Sequence, residues 1–153
     1  MMRRAGLAAA LALLAWPAEA HWEFTRWGMT EQQVIAASRG QLRLLPPQER
    51  RPVPSARMEY RVGGEFRSGA LRLTVALAFD ARNGGLVCVS ARGDGAQAAA
   101  LRARLIRNFG QPTDRGQDPA TGTESVTWDR PDEINLDQTP GQPVIMLHCS
   151  RGT

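Results

Sequence analysis

Apolar and polar positions alternate with two different periods along the chain, and each period marks a set of elements. Met58, Tyr60 and Val62 alternate with Arg57, Glu59 and Arg61, the period of a half-buried antiparallel strand. Gly63-Gly64 interrupts that pattern as a bulge or turn. Leu71, Leu73, Val75, Leu77 and Phe79 then share one face, with Arg72, Thr74 and Asp80 on the other. Asn83-Gly84-Gly85 supplies a turn, and Leu86 to Ala91 returns as the second strand of a hairpin. Thr123 to Asp129, around Val126 and Trp128, and Val144 to Cys149 read as two further strands. Pro131 to Gly141 reads as an acidic loop with room for a short strand at Ile134-Asn135-Leu136.

The helical period occurs twice. Thr30-Glu31-Gln32-Gln33 is a capping box, with Met29 and Val34 at the hydrophobic-staple positions. It predicts a helix from Glu31 to about Arg39, stopped at Gly40. A second helix starts with Asp94 as N-cap and Gln97 three residues later, and runs to Phe109. Ala98, Leu101, Leu105, Ile106 and Phe109 form its apolar stripe, Arg104 and Arg107 point to water, and Gly110 and Pro112 end it. Residues 46 to 56, with Pro46, Pro47, Pro52 and Pro54 around Arg50-Arg51, read as an extended loop inside one domain. The expected fold is therefore α+β: two short helices packed on an antiparallel sheet of about four to six strands, a loosely duplicated helix-then-strands unit. Trp27 and Trp128 are expected in the core, while Trp22 could be core or an exposed aromatic contact.

Two of these caps carry a resemblance. Trp27-Gly28-Met29-Thr30 followed by Gln33-Val34, and Leu105 to Phe109 followed by Gly110-Gln111-Pro112, resemble signatures of small bacterial envelope proteins. That group includes the small lipoprotein of the outer-membrane barrel-assembly machine and the β-lactamase-inhibitor-protein-like folds. The resemblance implies an α+β layer of short helices on an antiparallel sheet, acting through protein contacts rather than catalysis. The lipobox cysteine of the lipoprotein members is missing here.

The front of the chain sets the compartment. Arg3 and Arg4 form a positive n-region, Ala5 to Trp16 an apolar h-region, and Ala18-Glu19-Ala20 a small-x-small cleavage site after Pro17. Residues 1–20 thus read as a signal peptide and 21–153 as a single α+β domain, exported to the periplasm or secreted. Export makes a nucleic-acid partner unexpected, and no apolar run in the mature chain is long enough to span a membrane. Two cysteines, Cys88 and Cys149, one in each half of the chain, are expected to pair in an oxidising compartment.

All nineteen basic residues are Arg, so Schiff-base and P-loop lysine chemistry is excluded. Charge is uneven: His21 to Arg107 holds fourteen Arg and seven acids, whereas Asn108 to Thr153 holds three Arg and seven acids. A basic face of this kind attracts an acidic partner, although ordinary solvated Arg gives the same count. No serine-hydrolase elbow, zinc-protease helix, C-x-x-C or dinucleotide fingerprint occurs. His148 and Cys149 are adjacent on a predicted strand, so they face opposite ways and cannot form a catalytic pair. The acids Asp129, Asp132, Glu133 and Asp137 read as a solvated loop, with weak calcium binding as the alternative.

The leading reading is a non-catalytic envelope protein, with no cofactor, that binds or supports another protein. Arg50, Arg51 and Arg57 beside the Pro-rich loop are its first candidate contacts. The alternative is copper binding. Cleavage would expose His21, whose α-amine and imidazole with His148 make a three-nitrogen set that copper(II) favours. This resembles the histidine brace of copper oxygenases and carriers, and it requires His148 to face outward beside the N-terminal segment. The first prediction is cleavage between Ala20 and His21. N-terminal sequencing of the secreted form should read His21 first; a mature chain still beginning at Met1 contradicts it.

Overall fold

The computed structural model describes residues 21–152. The predicted leader, residues 1–20, lies outside them. In chain order the elements are helix α1 (Glu31–Ala37), β1 (Leu42–Leu44), β2 (Arg51–Val53), β3 (Met58–Ser68), β4 (Leu71–Asp80) and β5 (Leu86–Gly93). Helix α2 (Ala98–Phe109) follows, then β6 (Asp114–Gln117), β7 (Glu124–Trp128), β8 (Glu133–Gln138) and β9 (Val144–Cys149). The capping box at the start of α1 is formed: Gln33 N–H donates to Thr30 Oγ1 at 3.2 Å, and Thr30 N–H to Gln33 Oε1 at 3.0 Å. Asp94 caps a 3-10 turn over Gly95–Gln97, which leads into α2.

All nine strands join one antiparallel sheet in the order β1-β3-β4-β5-β9-β8-β7-β6, with β2 beside β3. This corrects the expected sheet of about four to six strands under two packed helices. Strands hold 42% of the described residues and helices, 3-10 turns included, 21%, so the molecule is mainly sheet. The physical reason lies in the additional strands. β1 and β2 have three residues each, β2 contains Pro52, and every residue of β6 is exposed. β1 alternates Leu-Arg-Leu over only three residues, and β2 and β6 carry no alternating apolar signal; each takes hydrogen bonds offered by a neighbour at the sheet edge, where proline is tolerated. β8 likewise occupies most of the segment read as an acidic loop.

The core lies on one face of the sheet. β4 contributes Leu71, Leu73, Val75, Leu77 and Phe79, all buried, as its period requires. β7 adds Val126 and Trp128, β8 adds Ile134 and Leu136, and β9 adds Val144 and Met146. Val34 of α1 and Leu101 and Leu105 of α2 close the same cluster, joined by Trp22. Trp22 is therefore core, packed on Phe66 with ring centroids 4.9 Å apart, and Trp27 is only partly buried. Arg104 departs from the expected water-facing position. Its guanidinium bonds both oxygens of Glu23 at 2.7 Å and Ser68 Oγ at 3.0 Å, tying α2 to the N-terminal segment. No described helix is long and apolar enough to cross a membrane.

Among the described strands, the pairing of β5 with β9 joins two meanders, β3–β5 and β6–β9, and Cys88 and Cys149 are directly paired across that seam. Their sulfurs are bonded and their Cα atoms lie 4.1 Å apart, the spacing of a closely set antiparallel pair. The expected bridge is thus formed, between residues 61 apart in sequence. On the chain-entropy model a loop of that length stabilises by about 4 kcal/mol, as an upper figure. Denaturant unfolding with and without reductant should show the oxidised form more stable by about 2–4 kcal/mol. Superimposable curves would contradict this.

Candidate functional site

The seam has two sides of different chemistry, set by strand parity. On β9, Val144, Met146 and His148 point inward, and Ile145, Leu147 and Cys149 outward. On β8 the inward positions are Ile134 and Leu136, and the residue two before Ile134 is Asp132. Ile134 is paired with His148, so Asp132 arrives next to the imidazole from the turn between β7 and β8.

His148 has no exposed surface and Asp132 is 3% exposed. His148 Nε2 lies 2.7 Å from Asp132 Oδ2. The same carboxylate accepts Trp27 Nε1–H, with 3.2 Å to Oδ1 and 3.1 Å to Oδ2. A carboxylate has no hydrogen of its own to give and only accepts, so Nε2–H is the donor in this pair. Nδ1 is buried with no hydrogen-bond partner. Trp27 and Phe109 each meet the imidazole edge-on, with centroids 5.1 Å away and planes at 85°. Four segments therefore converge on one histidine: the N-terminal stretch, the end of α2, the β7–β8 turn and β9.

This arrangement binds several segments of the fold together, and His148 has no exposed surface. Two open clefts among the described residues are lined by other side chains. One, about 440 Å³, is lined by Asp94, Gly95, Gln138, Gly141, Gln142 and Pro143. Another, about 280 Å³, lies between α2 and β6 around Arg102 and Arg115.

The outward side is different. Ile145 and Leu147 are 46% and 36% exposed, in the middle of the sheet rather than at its rim. Beside Leu147 in the same row stand Ser90 of β5 and then Ala76 of β4, both small. The disulfide sits on this face one row away. Tyr60 and Arg51 border it, the guanidinium 5.7 Å from the Tyr60 ring centroid. Burial pushes the Tyr60 hydroxyl above its usual pKa, an effect partly opposed by the Arg51 charge. At the end of β4, hydrogen bonds from the Arg82 side chain and backbone hold the Asp80 carboxyl below its usual range.

No protein-family model matches the chain, and no curated protein or solved structure matches it either. The geometry therefore has to carry the functional reading.

The residues singled out in the sequence are distributed as follows. Cys88 and Cys149 are joined. His21 is exposed at the start of the described chain, while His148 is sealed inside with Nε2 on Asp132. The copper chelate needs His148 facing outward, whereas the imidazole here points inward onto Asp132. Among the described residues no group of three or more His, Cys, Asp or Glu is placed to hold a metal ion. Arg50 turns back to Leu45 O at 3.0 Å, Arg51 covers Tyr60, and Arg57 is exposed with left-handed backbone (φ 51°). The acidic loop is also corrected: Glu133 and Asp137 are exposed, but Asp132 is core. Parity with Ile134 and Leu136 was the signal for Asp132 available in the sequence.

Breaking a buried, hydrogen-bonded pair by removing one partner typically costs about 3–5 kcal/mol, because the other is left buried and unpaired. His148→Ala and Asp132→Ala should each destabilise by that order. The double variant should cost at least ~1 kcal/mol less than the two single effects combined. Denaturant midpoints of the four proteins check this, and additivity within about 0.5 kcal/mol contradicts the coupling.

Proposed function

We propose that this chain is an exported, non-catalytic envelope module that binds or supports another protein through the open face of its sheet. The observation that carries the reading is the exposure of Ile145 and Leu147 on a central strand. Large apolar side chains in mid-sheet, flanked by small residues and rimmed by charge, suit a surface that becomes covered. The disulfide beneath that face supports export, since such bonds persist in oxidising compartments. The helix caps similar to those of small envelope proteins support the same compartment and a role in protein contacts.

Of the candidate arginines, Arg51 stands at the border of the open face, stacked on Tyr60, and is the best placed to contact a partner. Crosslinked capture from an envelope fraction tests the proposal. Leu147→Arg should abolish capture, and charge reversal of Arg50, Arg51 and Arg57 together should weaken it about tenfold, with melting temperature unchanged. Capture unaffected by Leu147→Arg would place the contact surface elsewhere.

A further inference from the structure

The open face carries opposite charge on its two sides, and the β5–β9 seam is the dividing line. Cross-strand register places Arg43, Arg51, Arg67, Arg72 and Arg92 on the face from β1 to β5, against Glu65. Asp80, at the end of β4, is neutralised by its ion pair with Arg82. On the other side, register places Glu133, Asp137 and Asp114 on the same face, while Arg115, the arginine of β6, has the opposite parity. The charge asymmetry between the two halves of the sequence thus becomes an asymmetry across one surface.

Side-chain size divides along the same line. Just beyond the seam, β9 presents the exposed Ile145 and Leu147. Before it, β5 and β4 present Ser90 and Ala76, and β3 presents Gly63 in the same row. A two-fold axis lying in the face and running along the seam exchanges the two sides. It sets each basic half against an acidic half, and each Ile145–Leu147 ridge against the small residues of the other copy. Such a face is complementary to itself, the requirement for an isologous contact.

Its size is adequate. Strands about 4.8 Å apart give eight strand positions a width of roughly 35 Å. With strand lengths near 20 Å, the face is of the same order as the ~800 Å² per partner of a stable interface. We infer that the occupant of the open face is a second copy of this chain, docked face to face about the β5–β9 seam. The inference rests on the reading of that face as a docking surface.

Sedimentation equilibrium of the purified protein over a range of concentrations and salt tests it. The expected particle holds two chains, with Kd rising at least about fivefold between ~0.1 M and ~1 M salt as the charge pairing is screened. Two charge variants sharpen the test. Glu133→Arg with Asp137→Arg makes the face predominantly basic, and Arg51→Glu with Arg92→Glu makes it largely acidic. Each alone should weaken self-association at least tenfold, whereas an equimolar mixture of the two should restore a two-chain particle. Unchanged melting curves confirm that these exposed substitutions leave the fold intact.

A wild-type monomer at every concentration overturns the inference, as does a dimer indifferent to both variants and to Leu147→Arg. If the monomer captures a different envelope protein and Leu147→Arg abolishes that capture, the docking face stands and the second copy is wrong. If Leu147→Arg changes neither, the docking face fails as well.

Discussion

The hydrogen bond between His148 and Asp132 holds β9 to the turn before β8, and through Trp27 on the same carboxylate it anchors the second half of the chain on the first. It is formed inside the core, so water offers neither partner a substitute, and the carboxylate is held in turn by Trp27 from the N-terminal segment. One residue further along β9, parity reverses and Cys149 bonds Cys88 on the opposite face. Two successive residues thus fasten the same strand from both sides. The inner bond is lost if either partner is removed; the outer one constrains the unfolded chain.

That double fastening explains why the molecule is one sheet rather than two small ones. Neither β3–β5 nor β6–β9 has a helix large enough to cover it alone, since α1 has seven residues and α2 twelve. Placed edge to edge at the seam, the two meanders share a single core on the inner face, to which α1, α2 and the N-terminal segment contribute. The consequence is an uncovered outer face on which Ile145 and Leu147 lie exposed and the charges of the two halves are kept apart. Stability and the proposed contact surface therefore come from the same strands, divided by the side to which each residue points.

Much of this was legible in the sequence where a period runs long enough to be seen. The alternation through Leu71 to Phe79 and Val144 to Cys149, the Thr30–Gln33 capping box and the pairing of two cysteines are all local or countable. The edge strands were not legible, because Leu42–Leu44 and Arg51–Val53 are too short to establish a period and Asp114–Gln117 has no apolar residue. The placement of Arg104 is hidden for a different reason: its partner, Glu23, is 81 residues away, and a helical stripe says nothing about what a distant segment lays over it. Asp132 is the instructive case. Surrounded by acids, it reads as solvated, yet it shares parity with Ile134 and Leu136, and the register of a folded sheet brings it to a histidine.

The central claim is that the seam makes the two halves one cooperative unit. Native-state hydrogen exchange on the oxidised protein at rising denaturant measures this directly. Amides of β5, β8 and β9 should open only in the global unfolding reaction, with those of β4 and β7 merging into the same isotherm. Exchange of β6 to β9 through a separate opening of lower free energy, while β3 to β5 stayed protected, would contradict the account.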